Sequence, residues 1–94
     1  MEQIEATQEV WELLNSNEDF SMFTTLCLHR FTEQDWGEIS EDDVAANNTA
    51  ILNGDKIIGS YVIPEWIEEV YNDRLWSVMN EDRSTITMMF AGDF

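Results

Sequence analysis

Between Asn80 and Ser84 the chain has only Glu81–Arg83 in which to pass from one β-rich run, RLWSVMN (Arg74–Asn80), to the next, STITMMF (Ser84–Phe90). A connection this short leaves no room for a crossover, so the two runs must pair as an antiparallel hairpin. KIIGSYVI (Lys56–Ile63), which ends at Pro64, has the same β-branched and aromatic character and supplies a third strand. PEWIEEVYND (Pro64–Asp73) lies between the first two strands, and its pattern is compatible with an extended excursion or with one short amphipathic helical turn.

The first half has helical spacing. Ile4, Trp11 and Leu14 fall on one face with Val10 beside them, and Glu2, Glu5, Glu9 and Glu12 fall on the opposite face. NSNED (Asn15–Asp19) supplies a stop and a new N-cap, with acids in the first turn of the next helix. There Phe20, Phe23, Thr24, Cys27 and Phe31 recur at helical intervals. After a loop through TEQDWGEI, Ser40 is placed as an N-cap, with Asp43 at the third helical position and Ile39 and Val44 where a hydrophobic staple would sit. This third helix runs to about Leu52, before the turn Asn53–Asp55. The order implies an α+β fold: about three N-terminal helices packed on a three-stranded antiparallel β-meander, in a single domain over residues 1–94.

A chain of 94 residues has no room for two independent cores, and its 44% hydrophobic content separates it from disordered acidic tails. Charge is the unusual quantity: 20 Asp and Glu stand against 4 Lys and Arg, for a formal net charge of −16. Such a surface repels nucleic acid and anionic membranes and attracts basic protein surfaces. Cys27 is the lone cysteine, which excludes an internal disulfide and fits a reducing compartment. The first ten residues lack an apolar signal-peptide core, and no apolar run nears the roughly 20 residues a membrane span needs. The expectation is a cytoplasmic protein.

Residues for catalysis are few. Cys27 and His29 are the only ones of their kinds, and a spacing of two on a helix points them apart. Two candidates fall short of the four ligands of a structural zinc site. Glu41–Asp43 lacks the spacing of a calcium loop and suits the dipole of a helix N-terminus instead. The four glycines are scattered, so no phosphate-binding loop exists. The expectation is a protein that is not an enzyme and uses no cofactor or metal.

The acids invite comparison with a duplex. A globule of this length is about 32 Å across by radius-of-gyration scaling. Duplex DNA of that length carries about 19 phosphates. The 20 acids are a similar number.

Arg30, Asp35, Trp36 and Gly37, then Asp43 and Asn47, Ser60 and Tyr61, Trp76, and Asp82, Arg83, Ser84 and Thr87 follow an ordered pattern. In it the chain resembles a family of small proteins carried on bacterial plasmids, phages and integrative elements, some of them labelled restriction-endonuclease subunits. The family pattern reads R-H-x-x-G-D-W-G, D-x-x-x-N, S-Y and W-I-I-T-E-x-D-R-S-x-T-T, with a terminal P-x-E-Y. The match covers Arg30 to Phe94, about two-thirds of the chain. Phe31 stands at the family's His, Gln34 at its Gly and Asn80 at its Glu, and Ala91–Phe94 replace the terminal motif.

The resemblance implies a mobile-element setting and no particular reaction, since the polar His and Glu are both replaced. Small acidic proteins of such elements include anti-CRISPR and anti-restriction inhibitors. The expected function is therefore inhibition of a host defence nuclease or effector through its basic nucleic-acid-binding groove, as a possible DNA mimic. The alternative is an accessory or regulatory protein without inhibitory role, with a homodimer as a possible state. Candidate partner-binding residues are Glu33, Asp35, Glu38, Glu41 and Asp42 around Trp36, and Glu65, Glu68, Glu69 and Asp73 around Trp66 and Tyr71. Trp36 itself is expected to pack the helices onto the sheet.

Overall fold

The computed structural model describes residues 3–94. The fold is α+β: strand β1 (Gln3–Ala6), helices α1 (Gln8–Ser16), α2 (Glu18–Thr32) and α3 (Glu41–Asn53), then strands β2 (Ile57–Val62), β3 (Arg74–Met79) and β4 (Thr85–Phe90), with a short 3-10 turn at Ala91–Asp93. The sheet has four strands in the order β1-β4-β3-β2. β2, β3 and β4 form the expected antiparallel meander, but β1 adds to β4 in parallel, so the sheet is mixed.

The expectation of a three-stranded sheet is corrected at Gln3–Ala6, which is strand and not helix. Helical period had grouped Ile4 with Trp11 and Leu14. The hairpin, however, leaves one edge of β4 unpaired, and this segment fills it. The Gln3 amide donates to Ser84 O at 2.7 Å and the Thr7 amide to Met88 O at 3.1 Å. Long-range pairing overrides a local propensity that is weak over four residues. The helix then begins at Gln8 with a different buried stripe: Val10 is fully buried, while Trp11 is 60% exposed. The polar-face assignment of Glu2 lies outside the described residues.

The later elements match their signals to within a residue or so. Asn17 caps α2 by accepting from the Phe20 amide at 3.0 Å, and Ser40 caps α3 by accepting from Asp43 at 3.1 Å. Phe20, Thr24, Cys27 and Phe31 are the buried stripe of α2, with Phe23 half-buried. The Pro64–Asp73 segment contains no helix; it is a series of turns pinned by buried Ile67. Strand alternation sends Tyr61, Leu75, Ile86, Met88 and Phe90 to the helical side, where they join Val10, Phe20 and Trp36 in one core.

β2 is an edge strand, and edges invite unwanted pairing unless covered. Three groups cover it. The Asn47 amide of α3 imitates a strand, donating Nδ2 to Ile58 O at 2.9 Å and accepting from Ile58 N at 3.2 Å. The turn at Gly37 forms a parallel bridge: Ser60 N donates to Trp36 O at 2.9 Å, and Glu38 N donates to Ser60 O at 2.9 Å. Glu38 Oε1 then accepts from Val62 N at 3.2 Å. Gly37 is needed there, because its φ is +89° and a Cβ would collide with the Ser60 carbonyl. The bridge seats Trp36 in the core, edge-on to Phe31 with ring centroids 5.3 Å apart.

Asn47→Ala removes both side-chain bonds and leaves Ile58 N–H and C=O unpaired beneath α3. A loss of about 1–3 kcal/mol is expected, the range for orphaned buried polar groups. Urea denaturation measures it; an unchanged midpoint would mean that water replaces the amide without loss.

Candidate functional site

The nine candidate acids fall into two groups with different structural duties. In the first, Asp35 and Glu38 are held by Arg30. Its Nε donates to Asp35 Oδ2 at 2.8 Å and its Nη2 to Glu38 Oε2 at 3.0 Å. Asp35 also accepts from the Gly37 amide at 3.1 Å, and its carbonyl accepts from the Tyr61 hydroxyl at 2.8 Å. The Arg30 guanidinium lies 5.0 Å from the centroid of the Tyr61 ring. These two carboxylates therefore build the turn that covers β2 as much as they charge the surface. Glu33 ends α2 and Glu41 and Asp42 open α3; all three are exposed.

The second group lies on the turns between β2 and β3. Glu65, Glu68, Glu69 and Asp73 are all exposed. The only ion pairs among the described residues are those of Arg30, so none of these four carboxylates is neutralised by a base. Trp66 is 67% exposed and Tyr71 91% exposed among them, although Ile67 anchors the segment in the core. Asn17 ties this loop to the helices, donating its Nδ2 to Glu68 O at 2.7 Å while capping α2. Glu18 and Asp19 are thereby brought beside Glu68 and Glu69, around one shallow concavity of about 250 Å³.

Glu18 and Asp19 were absent from the candidates read in the sequence. Their local signal, acids in a first helical turn, is explained by the helix dipole alone. Only a contact spanning 51 positions, Asn17 to Glu68, places them with the loop. The two candidate stretches also adjoin: Arg74, next to Asp73, donates from Nη1 to Glu38 O at 2.7 Å and to Ser60 Oγ at 3.0 Å.

All three arginines are thus engaged internally. Arg83 closes the C-terminal end of α3, donating to Ala50 O at 2.9 Å and to Asn80 O at 3.1 Å, with Asp55 O as a further acceptor. Lys56, the remaining base, lies 5.8 Å from the Phe94 ring centroid. Among the described residues no base forms an ion pair with the acidic loop.

Cys27 is fully buried, and burial pushes its thiol up to about 12, with Arg30 pulling it partly back. It is a neutral core group, while His29 is exposed near the end of α2. Among the described residues no three Asp, Glu, His or Cys side chains are grouped so as to hold a metal ion. No described helix is long and apolar enough to cross a membrane.

No family model matches this chain, and no curated protein or solved structure matches it either. The residues that carry the mobile-element resemblance can still be placed. Asp35, Gly37, Asn47, Ser60 and Tyr61 build and cover the β2 edge. Asp82 and Arg83 shape the β3–β4 turn, where Asp82 accepts from the Ser84 amide at 2.9 Å. Their places are structural.

The Arg30 guanidinium holds the Asp35 carboxyl below the usual carboxylate range; partial burial opposes this and the Gly37 amide assists. A depressed folded value means that its stabilisation is fully present above the unfolded value of about 3.9 and is lost as pH falls through the folded one. Arg30→Ala should therefore lower the melting temperature at neutral pH, and its gap to wild type should narrow as pH falls from the unfolded value of about 3.9 through the depressed folded one. A gap that is constant with pH would assign the loss to packing on Tyr61. Cys27 should resist thiol-specific reagents in the native state and react only on unfolding; native labelling at the rate of a free thiol would contradict its burial.

Proposed function

We propose that this protein is an inhibitor from a bacterial mobile genetic element that occupies the basic nucleic-acid-binding groove of a host defence nuclease or effector, and that loop 64–73 carries the contact. The observation behind this reading is Trp66 and Tyr71, both mostly exposed, among carboxylates that no base neutralises. Exposed aromatics on a pinned loop are the kind of residue that carries binding energy, and surrounding charge adds steering and register. The longest dimension, 38 Å, corresponds to about 22 phosphates of duplex at one per roughly 1.7 Å, against 20 acids in the chain. The accessory role as a homodimer is less well supported, because two copies at −16 each repel one another at low salt.

The loop is favoured over the Glu33–Asp43 run on structural grounds. Replacing Glu38 would disturb the β2 edge as well as the charge. The loop acids have no such duty, and exposed charges contribute only about 0–1 kcal/mol to folding.

Neutralising Glu65, Glu68 and Glu69 to Gln should leave the melt unchanged or slightly raised, since it removes like-charge repulsion and no structural contact. Partner affinity should fall by tens- to thousands-fold, since truncating one side of an interfacial charge pair costs about 2–5 kcal/mol. A pull-down from bacterial lysate identifies the effector, and competition with its DNA or RNA reads the affinity. Nucleic acid should displace the wild-type protein. Full-strength binding by the triple variant would move the contact to Glu33, Glu41 and Asp42. Binding undisturbed by nucleic acid would reject occupancy of the groove.

Salt gives a second, two-signed test. Screening should weaken partner binding and raise the melting temperature of the free protein, because both effects come from the same unneutralised charge acting within a Debye length of about 8–10 Å. Affinity that is flat with salt would rule out a charge-driven contact.

A further inference from the structure

The two edges of the sheet are treated differently. The β2 edge is covered at Ile58, Ser60 and Val62. The β1 edge has no strand beyond it. Its backbone phase is set by two bonds: the Gln3 and Thr7 amides both point to β4, at Ser84 O and Met88 O. Strand groups alternate with a period of two, so Glu5 also faces β4, and the N–H and C=O groups of Ile4 and Ala6 face outward.

A cleft of about 230 Å³ lies along this edge, between β1, α1 and α2. Ile4, Glu5 and Ala6 all line it. Ile4 and Ala6 share the helical face of β1, opposite Ile86 and Met88, so the cleft runs along the strand beside its open edge. Trp11, Leu14 and Leu28 supply apolar walls; Ile4 is 48% exposed and Trp11 60% exposed. Thr24, also in the lining, has a buried hydroxyl with no hydrogen-bond partner. The volume is below the 300–1,000 Å³ typical of small-molecule sites and suits one or two side chains.

We propose that the β1 edge is a docking site for an extended segment of a partner protein, with apolar residues alternating with Lys or Arg, which pairs with Ile4 and Ala6 as a fifth strand and seats apolar side chains against Trp11 and Leu28. Main-chain bonds supply affinity in this mode and alternate side-chain pockets supply specificity. Charge selects the occupant. Glu5 is the one ionised residue in the lining; it lies with Gln3 on the face of β1 opposite Ile4 and Ala6, where the alternate residues of an added strand would meet it, no base lines the cleft, and the chain's net charge is −16. A second copy of this chain would bring the same sign of charge to the same edge. This site does not rest on the reading of loop 64–73, and a single partner could engage both.

The test uses a short alternating lysine–valine peptide as the probe and amide hydrogen exchange followed by NMR as the readout. In the free protein the Ile4 and Ala6 amides should exchange quickly and those of Glu5 and Thr7 slowly. Saturating peptide should protect Ile4 and Ala6. The same peptide N-methylated at alternate residues on its pairing edge should fail to protect them. Trp11→Ala should weaken binding about tenfold or more, as loss of an aromatic anchor does, with an unchanged melt. Ile4→Ser is the second variant and should weaken it in the same direction. The variant neutralised at Glu65, Glu68 and Glu69 should still protect Ile4 and Ala6, which separates this site from the acidic loop. Absence of protection at saturating peptide would overturn the proposal, as would equal binding by the N-methylated peptide. Protection of both amides in the free protein, together with a dimer in sedimentation, would assign the edge to a second copy and overturn it as well.

Discussion

A strand at the edge of a sheet presents alternate N–H and C=O groups to solvent; β2 has three such positions, and residues 36–47 pair both groups of Ile58 and Ser60 and the N–H of Val62. The rest of the molecule follows from this arrangement. The bridge at Gly37 carries Trp36 into the core beside Phe31, and the chain leaving it reaches Ser40, where α3 begins. Asn47 then returns α3 to the same strand one rung away. Arg30 locks the turn from behind through Asp35 and Glu38 while covering Tyr61. The acidic run around Trp36 is therefore first an architectural device. Its charge is partly consumed in holding the loop that protects the edge.

That device also explains why the net charge is so poorly balanced at the surface. Of four bases, Arg30, Arg74 and Arg83 hold loops and a helix end through short hydrogen bonds. Their planar, multi-donor head groups suit backbone carbonyls and carboxylates together, which a lysine ammonium would serve less well. The remaining acids are left without partners, and self-repulsion among them works against the compact state. Such a surface gains the fold no stability, and the proposed basic partner would neutralise it. The proposed inhibitor rests on this physical argument and on the exposed aromatics of loop 64–73.

Much of the fold was legible because it depends on local chemistry. The hairpin followed from the short Glu81–Arg83 connection, the starts of α2 and α3 from the Asn15–Asp19 stretch and Ser40, and the α3 stop from the turn at Asn53–Asp55, where Gly54 takes the left-handed conformation. Gln3–Ala6 was misread because four residues with one large apolar side chain satisfy a helical period by chance, and only the unfilled edge of β4 decides otherwise. Pro64–Asp73 could not be assigned because its anchors, Ile67 and the Asn17–Glu68 bond, lie in the core and on a distant element.

The sequence by itself determined the class of fold, the core stripe of α2, the caps, and the sign and density of charge. These depend on residue type and on neighbours within a few positions. Only the tertiary structure decided which acids are structural and which stay unpaired at the surface, because a carboxylate becomes structural through a donor far along the chain, as Val62 lies 24 positions from Glu38. It alone brought Glu18 and Asp19 to Glu68 and Glu69, covered one edge of the sheet and left the other open. The reason is the same in each case: hydrogen-bond partners and shared surfaces are set by how elements pack, and packing is a property of the whole chain.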